Sequence, residues 1–317
     1  MNTEQPLVSV CTISYNHEKY IERAIQGVVE QRYNFKVEFI IGDDCSKDGT
    51  RDIIRRYQAQ YPDLIFPLFP EKNLGAKQNA MQTMKRCRGK YIAFLEGDDF
   101  WTDPTKLQRQ ANFMEANPEY MICFTDVDLL NDTEDEHPDP FTKPDKERLT
   151  IEDVIMTERV FIPTATLFFR NQLPDPLPKF FQEANNGDIA IHLVMADQGP
   201  IRYLPGKTAV YRHHSGGVTK TRQFGGLAYK QLFGMYEAAN AHFGSKYDAI
   251  FRRRLGQMSR TLLMYFSRDL HGMEKVKYVL ANSGNYFKYS DGINLKEMGY
   301  YTVTLFFPSL LKSKKNR

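Results

Sequence analysis

Through its first hundred residues the chain alternates between two hydrophobic rhythms. Residues 7–14, LVSVCTIS, form a nearly unbroken apolar, β-branched run, the pattern of a buried strand. Residues 18–31 switch to helical spacing, with Ile21, Ala24, Ile25, Val28 and Val29 recurring along one face. The switch then repeats. Residues 37–41 (VEFII) predict a second strand, 48–61 a second helix entered through the polar turn SKDGT, and 64–69 a short third strand. Residues 76–87 predict a third helix and 91–95 (YIAFL) a fourth strand. Strands alternating with helices predict an α/β fold with a mostly parallel sheet covered on both faces. In open sheets of this kind, ligands bind beyond the carboxyl ends of the strands. SYNH at 14–17, GDD at 42–44 and EGDD at 96–99 each follow such an end, so these polar loops are expected on one rim.

After residue 100 the rhythm is less regular. Residues 103–117 predict a helix with Pro104 in its first turn, 120–127 and 161–170 strands, 187–196 a helix, and 200–204 and 208–212 two short strands. Residues 131–148, NDTEDEHPDPFTKPDKER, are acidic and proline-rich and predict a mobile surface loop. From residue 224 onward the pattern is helical, aromatic and basic, with amphipathic stretches at 227–243, 249–266 and 273–287 that predict a helical bundle. The last stretch, GYYTVTLFFPSLLKSKKNR at 299–317, sets aromatic residues and leucines ahead of Lys312, Lys314, Lys315 and Arg317. It suits contact with an anionic membrane surface, and a buried helix with a solvated basic end is the alternative.

Composition narrows the partners. The chain has 317 residues and a formal net charge of only +3, without the basic excess of a nucleic-acid binder. Cys11, Cys45, Cys87 and Cys123 lie more than thirty residues apart, with no CxxC or Cys/His metal spacing, which is the usage of a reduced, cytoplasmic protein. No signal peptide is expected at MNTEQPLVSV, and no run approaches the ~18 apolar residues that span a bilayer. The expected location is the cytoplasm, at most peripheral on the inner face of the membrane.

The rim loops hold the candidate chemistry. Glu96 and Asp98 are two apart, so an extended backbone points them the same way, and Asp99 can turn inward at a bend. Such oxygens suit Mg²⁺ or Mn²⁺ shared with a diphosphate; a solvated capping turn is the plainer reading. Asp43 and Asp44 can accept hydrogen bonds from a base or ribose, and capping equally explains Ser46 and Asp48 beside them. Lys77, in NLGAKQNA at 73–80, can neutralise a phosphate or sit solvated. Neither GxGxxG nor GxxxxGK[ST] occurs, so dinucleotide and P-loop readings lose their best support.

These pieces, in this order, resemble the family 2 glycosyltransferases, whose fold is GT-A. The residues that carry the resemblance are VSVCTISYNHEKYIERAIQGVVEQ at 8–31, EFIIGDDCSKDGT at 38–50, NLGAKQNA at 73–80 and KYIAFLEGDDFW at 90–101. The likeness extends over roughly residues 6–220 and implies a GT-A catalytic domain over 1–223, with a nucleotide-sugar half (1–117) and an acceptor half (118–223). A C-terminal helical region over 224–317 follows.

The resemblance also implies roles. Thr12, Ser14 and Tyr15 match the loop that packs on the base, Asp43 matches the acid that reads it, with Asp44 beside it, and Lys77 matches a basic position near the nucleotide. Asp98 and Asp99 match the acids for ribose and the metal–diphosphate, while Glu96 stands where the usual motif has Asp. EANNGDIAIHLVMA at 183–196 resembles the family's helix start with a Glu-Asp pair; Asp188 takes the place of the catalytic base and Gly187 replaces the preceding acid. AVYRHHSGGVT at 209–219 resembles the late Tyr-Arg-x-His segment, which assigns His214 to the metal or diphosphate and puts His213 and Arg212 near phosphate or acceptor. Trp101 is a candidate wall for the sugar or acceptor, with core packing as the alternative. The implied activity is inverting transfer from a nucleotide-sugar, UDP-linked as first guess, with Mn²⁺ or Mg²⁺. The implied acceptor is a glycan or lipid-linked glycan in surface polysaccharide, lipopolysaccharide or capsule assembly. A nucleotidyltransferase and a non-catalytic sugar-nucleotide or glycan-binding module are the rival readings.

Overall fold

The computed structural model describes residues 5–132, 141, 143–157, 162–184, 187–214, 216, 226–264, 270, 272–289 and 299. The chain divides into two compact units, Met1–Pro176 with Gly187–Lys220 and Leu177–Asn186 with Thr221–Arg317.

The first unit begins with the predicted alternation: β1 (Val8–Ser14), α1 (Ile21–Val29), β2 (Val37–Asp43), α2 (Thr50–Gln60), β3 (Ile65–Leu68), α3 (Ala76–Arg86) and β4 (Tyr91–Glu96). A short β5 (Phe100–Trp101) and α4 (Lys106–Ala116) follow, then β6 (Ile122–Asn131), β7 (Arg148–Leu149), α5 (Ile151–Met156) and β8 (Phe168–Arg170). After the excursion into the second unit come α7 (Gly187–Ala196) and β9 (Ile201–His213), α6 (Lys179–Glu183) lying in that excursion. The sheet order is β3-β2-β1-β4-β8-β6-β9-β5, with β7 also paired to β9. β3, β2, β1 and β4 run parallel, as expected, and β8 joins β4 antiparallel to open a mixed second half.

Burial on both faces explains the unbroken apolar runs. On one face Val8, Val10, Phe39, Ile41, Ala93 and Leu95 pack in one core with Ile21, Ala24, Ile25 and Val28 of α1 and with Ile54 and Leu107. On the other, Cys11 meets Cys87 just past α3. Full burial of each large aliphatic side chain contributes roughly 2 kcal/mol. The parallel register then aligns the strand ends: Ser14 pairs with Asp43, and Ile13 with Glu96.

Two expectations are corrected. Residues 161–170 are not one strand. Thr164–Thr166 is a 3₁₀ turn, held by Thr166 Oγ1 donating to Pro163 O (3.1 Å) and Thr125 O (2.9 Å), and only Phe168–Arg170 is extended. Residues 200–204 and 208–212 are not separate strands but one, β9. Pro205-Gly206 reads as a turn in sequence, yet Gly206 takes φ +116° and the strand continues, while its partner β6 shifts register around Asp126. Half of the expected loop over 131–148 lies outside the described residues, and at its two ends Asn131 closes β6 and Arg148 opens β7.

The second unit holds α6, α8 (Gly226–Phe243), α9 (Asp248–Met264) and α10 (Gly272–Tyr289), matching the expected amphipathic helices. Their buried faces meet through Phe233, Tyr236, Phe251, Leu255, Met258, Val279 and Tyr286. Among the described residues no helix is long and apolar enough to cross a membrane. The membrane expectation for 299–317 lies outside the described residues, apart from Gly299.

Candidate active site

The acid loop leaves β4 and folds back within three residues. Gly97 N donates to Ile13 O at 2.9 Å and Asp99 N to Glu96 O at 3.1 Å, so the turn is tied to β1. β5 then pairs antiparallel with β9, Phe100 opposite Val210 and Trp101 opposite Ala209. That pairing carries the end of β9 onto the acids. Arg212 N donates to Asp99 Oδ1 (2.9 Å), Arg212 Nε to Asp98 O (3.1 Å) and Arg212 Nη1 to Asp132 Oδ2 (2.6 Å). Its guanidinium also lies over the rings of Tyr20 (5.0 Å) and Phe100 (5.5 Å). His214 Nε2 lies 3.0 Å from Asp98 Oδ2, and His17 Nε2 lies 3.8 Å from the same oxygen.

Burial and mutual repulsion dominate at Glu96 and Asp99 despite Arg212. Desolvation, then the charges of Asp98 and Asp188, push the Glu96 carboxyl up to about 8. Burial, with Asp98 and Glu96 beside it, holds the Asp99 carboxyl well above the usual range against the opposing Arg212 N–H. Burial raises Asp98 too, but the hydrogen bond to His214 and the charges of His17 and His214 outweigh it, and its carboxyl ends below the ordinary value. Among the described residues the buried Asp99 Oδ2 has no hydrogen-bond partner. Asp188, in the first turn of α7, is near enough for its charge to add to the rise at Glu96.

The neighbouring rim is saturated. Asp43 accepts from Ser46 Oγ, Ser46 N (3.0 Å) and Arg51 Nε (2.6 Å). Asp44 accepts from Leu74 N (2.6 Å) and Gly75 N (2.8 Å), which ties β2 to the NLGAKQNA loop. The loops after β1 and β2 interlock: Asn16 N donates to Ser46 Oγ (2.8 Å), Lys47 N to Asn16 Oδ1 (2.9 Å) and His17 N to Thr50 Oγ1 (2.9 Å).

The comparison with known proteins decides the family. Residues 9–175, more than half of the chain, match the model described as glycosyl transferase family 2. The chain belongs to that family. An uncharacterized protein of Mycobacterium tuberculosis (strain H37Rv) is 37% identical over 212 residues, 67% of this chain and 60% of that protein. The chain thus spans about three-fifths of the length of the first curated relatives it matches. TuaG of Bacillus subtilis, named a putative teichuronic acid biosynthesis glycosyltransferase, is 42% identical over 114 residues, 36% of this chain and 44% of TuaG. Among solved structures, the mannosyltransferase PcManGT of Pyrobaculum calidifontis, in complex with GDP-Man and Mn²⁺, matches with TM-score 0.58 at 15% identity, covering 95% of this chain and 81% of that one. TarS 1–349 of S. aureus with UDP-GlcNAc matches with TM-score 0.56 at 13% identity, covering 88% and 89%. At such identities the likeness is one of fold, and the fold is GT-A.

Within this family 2 chain, the residues singled out by sequence fall into three groups. Glu96, Asp98, Asp99, Asp188, Arg212 and His214 come together at the acid loop. Arg212 is pinned there by its backbone N–H, Nε and Nη1, so it shapes the loop. Thr12, Ser14 and Asp43 lie on β1 and β2, Tyr15 and Asp44 just past their ends, and Lys77 in the first turn of α3; among the described residues the buried hydroxyls of Thr12 and Ser14 have no hydrogen-bond partner, and Tyr15 is exposed. Trp101 stands apart from both. It is 2% exposed, its Nε1 donates to Ala165 O at 2.7 Å, and Lys106 Nζ lies 4.2 Å from its ring centroid, so the packing alternative describes its place. His213 lies beside Tyr211, ring centroids 5.1 Å apart.

His17 is the residue that sequence reasoning missed. It stood in SYNH as one polar residue among four, and only the β1–β4 register brings it to Asp98. Among the described residues no group of three or more His, Cys, Asp or Glu is already arranged as a metal cage. The donor set nevertheless fits a divalent ion, because a buried Asp99 oxygen has no hydrogen-bond partner among the described residues and the Asp99 carboxyl is held up despite the Arg212 charge beside it.

Proposed function

We propose that the chain transfers a sugar from a nucleotide-sugar, UDP-linked as first choice, to an acceptor hydroxyl with inversion at the anomeric carbon. What supports this reading is that Asp188, in the first turn of α7, lies within electrostatic reach of Glu96 in the buried acid cluster at the end of β4. A diphosphate leaving group and a base for the attacking hydroxyl need these two elements side by side. The TuaG likeness supports a polysaccharide setting, and the ligands named with TarS and PcManGT support a nucleotide-sugar donor and a divalent ion.

In this mechanism the loops around Asp43 and Asp44 receive the base and ribose in a frame already held by Ser46, Arg51, Leu74 and Gly75. Asp98, Asp99 and His214 would hold Mn²⁺ or Mg²⁺, which when bound offsets the diphosphate charge. Arg212 keeps Asp99 Oδ1 and the Asp98 carbonyl fixed, so the loop needs little reorganisation when the donor arrives. Asp188 accepts the proton of the acceptor hydroxyl as its oxygen bonds to the anomeric carbon and the bond to the diphosphate breaks. His192, one turn further along α7, is buried and held down to about 4 by desolvation against the pull of Asp188; it packs behind the base as a neutral ring. A lipid-linked acceptor would place the chain at the cytoplasmic face of a membrane.

The test is release of nucleoside diphosphate from UDP-sugars by the purified chain with Mn²⁺. Pyrophosphate as the product would make it a nucleotidyltransferase instead, and no turnover with any donor would leave a binding module. Asp188→Asn is expected to lower transfer by roughly 10²–10⁴-fold while donor binding, followed by calorimetry, is retained. Undiminished turnover in that variant rejects Asp188 as the base.

A further inference from the structure

His17 faces the acid loop, yet the transfer mechanism gives it no part. Its position is over-determined. Asn16, just before it, takes φ +54°, a left-handed conformation that Asn tolerates. Side chains of the β2–α2 loop hold Asn16 N, His17 N and Glu18 N, the last by Asp48 Oδ2 at 3.1 Å. Gly97 lies against the ring, where a Cβ would approach Nδ1 to 3.0 Å and Ile13 O to 3.1 Å. The backbone therefore aims this imidazole at the acids and leaves room for it there.

What it is aimed at is one oxygen. Asp98 Oδ2 has His214 Nε2 at 3.0 Å and His17 Nε2 at 3.8 Å, and the two rings stand edge to face with centroids 6.2 Å apart. At 3.8 Å His17 is beyond hydrogen-bond reach, so it converges on Asp98 without bonding to it. Among the described residues its buried Nδ1 has no hydrogen-bond partner, so none of them holds the ring proton on Nε2 and that nitrogen can present a lone pair. Asp99 Oδ2, 1% exposed as a residue and without a hydrogen-bond partner among the described residues, leaves an oxygen of the same loop open to a ligand.

We propose that His17 is an additional protein ligand, with Asp98 and His214, for the divalent ion of the donor site, and that this two-imidazole set favours Mn²⁺ over Mg²⁺. The preference follows from ligand chemistry: Mg²⁺ prefers oxygen and sheds water reluctantly, whereas imidazole suits the transition ions. The inference rests on the nucleotide-sugar reading above.

The experiment is Mn²⁺ titration of the full chain in the presence of UDP, followed by electron paramagnetic resonance, with Mg²⁺ as competitor. His17→Ala and His17→Asn are compared with wild type; the Asn variant keeps a polar side chain on the loop, and circular dichroism confirms folding. Both variants are expected to bind Mn²⁺ roughly ten-fold or more weakly, with Mg²⁺ affinity little changed. Pulsed spectra should show nitrogen coupling from two imidazoles in wild type and from one in the variants. Equal Mn²⁺ affinity and equal nitrogen coupling in all three proteins overturns the assignment of His17 alone. A wild-type chain that binds neither UDP nor Mn²⁺ overturns the donor reading and this inference together.

Discussion

The rim carries two pairs of adjacent aspartates, Asp43-Asp44 after β2 and Asp98-Asp99 after β4, and the chain treats them in opposite ways. At the first pair every carboxylate oxygen is engaged by a donor from the protein: Ser46 and Arg51 on Asp43, Leu74 and Gly75 on Asp44. At the second pair Asp99 Oδ2 has no hydrogen-bond partner among the described residues, and Glu96 is pushed up to about 8. Burial alone does not separate them, since Asp43, Asp44 and Asp99 are all nearly inaccessible. The difference lies in which neighbours arrive. α2 supplies a guanidinium directly to a carboxylate oxygen of Asp43, whereas at the acid loop the Arg212 guanidinium bonds the Asp98 carbonyl and Asp132, and Glu96 and Asp188 add negative charge. The first pair is a finished frame whose groups are settled before any ligand enters. The second holds Glu96 and Asp99 toward their protonated forms, and an added cation would favour their charged forms instead.

The largest effect expected from this contrast is at the finished pair. Asp43→Ala leaves Arg51, whose side chain is 22% exposed, without its carboxylate and removes the partner of Ser46. Loss of one member of a buried charge pair costs about 3 kcal/mol. Urea denaturation of the ligand-free chain should show that loss; a variant as stable as wild type would mean that Asp43 is held no more firmly than Asp99.

The frame was largely legible in the sequence and the electrostatics were not. β1 through β4 declared themselves because strands buried on both faces must read as apolar runs, and GDD and EGDD marked their ends. Arg212 read as a phosphate contact because a lone arginine carries no record of its partners. Its bond to Asp99 spans 113 residues and exists only because the two-residue strand β5, too short for any periodicity, pairs with β9. β9 was itself divided in the sequence reading, since Pro205-Gly206 carries a turn signal that the sheet overrides. His17 was invisible for the same reason as Arg212: a through-space neighbour, Asp98, gives it meaning.

A further group whose burial is costly lies in the core against Trp101, at Lys106. This lysine is fully buried, donates to Gln110 Oε1 at 2.7 Å, and is pushed down to about 7 by burial, with Cys123 and Asp103 opposing. Its folded value lies below its unfolded one, so between about pH 7 and 10 the unfolded chain binds more protons and stability rises with pH. Lys106→Met should remove that rise, on the order of 2 kcal/mol between pH 7 and pH 9, while equalling or exceeding wild type at pH 7. Denaturation midpoints at the two pH values measure it. The same slope in both proteins would show that Lys106 stays charged where it lies, and that the core around it is wetter than its burial implies.

The smallest effect is the one that speaks most directly to the second pair. Asp99 has its carboxyl held well above the ordinary value, so its contribution to stability is present at acid pH and is lost as pH rises through the folded value. Asp99→Asn cannot take up that charge. Its amide can also donate toward the acids around it, and Oδ1 can still accept from Arg212 N. The variant should therefore be more stable than wild type in the ligand-free state, by about 1 kcal/mol, with the gain larger at pH 8 than at pH 6. Added Mn²⁺ and UDP should reverse the order, because a ligand that binds only the native state stabilises wild type more than a variant that holds it poorly. Thermal melts with and without both ligands test the pair of outcomes. A variant destabilised in their absence at both pH values would place Asp99 with Asp43, as a settled part of the frame, and the contrast between the two loops would then rest on Glu96 alone.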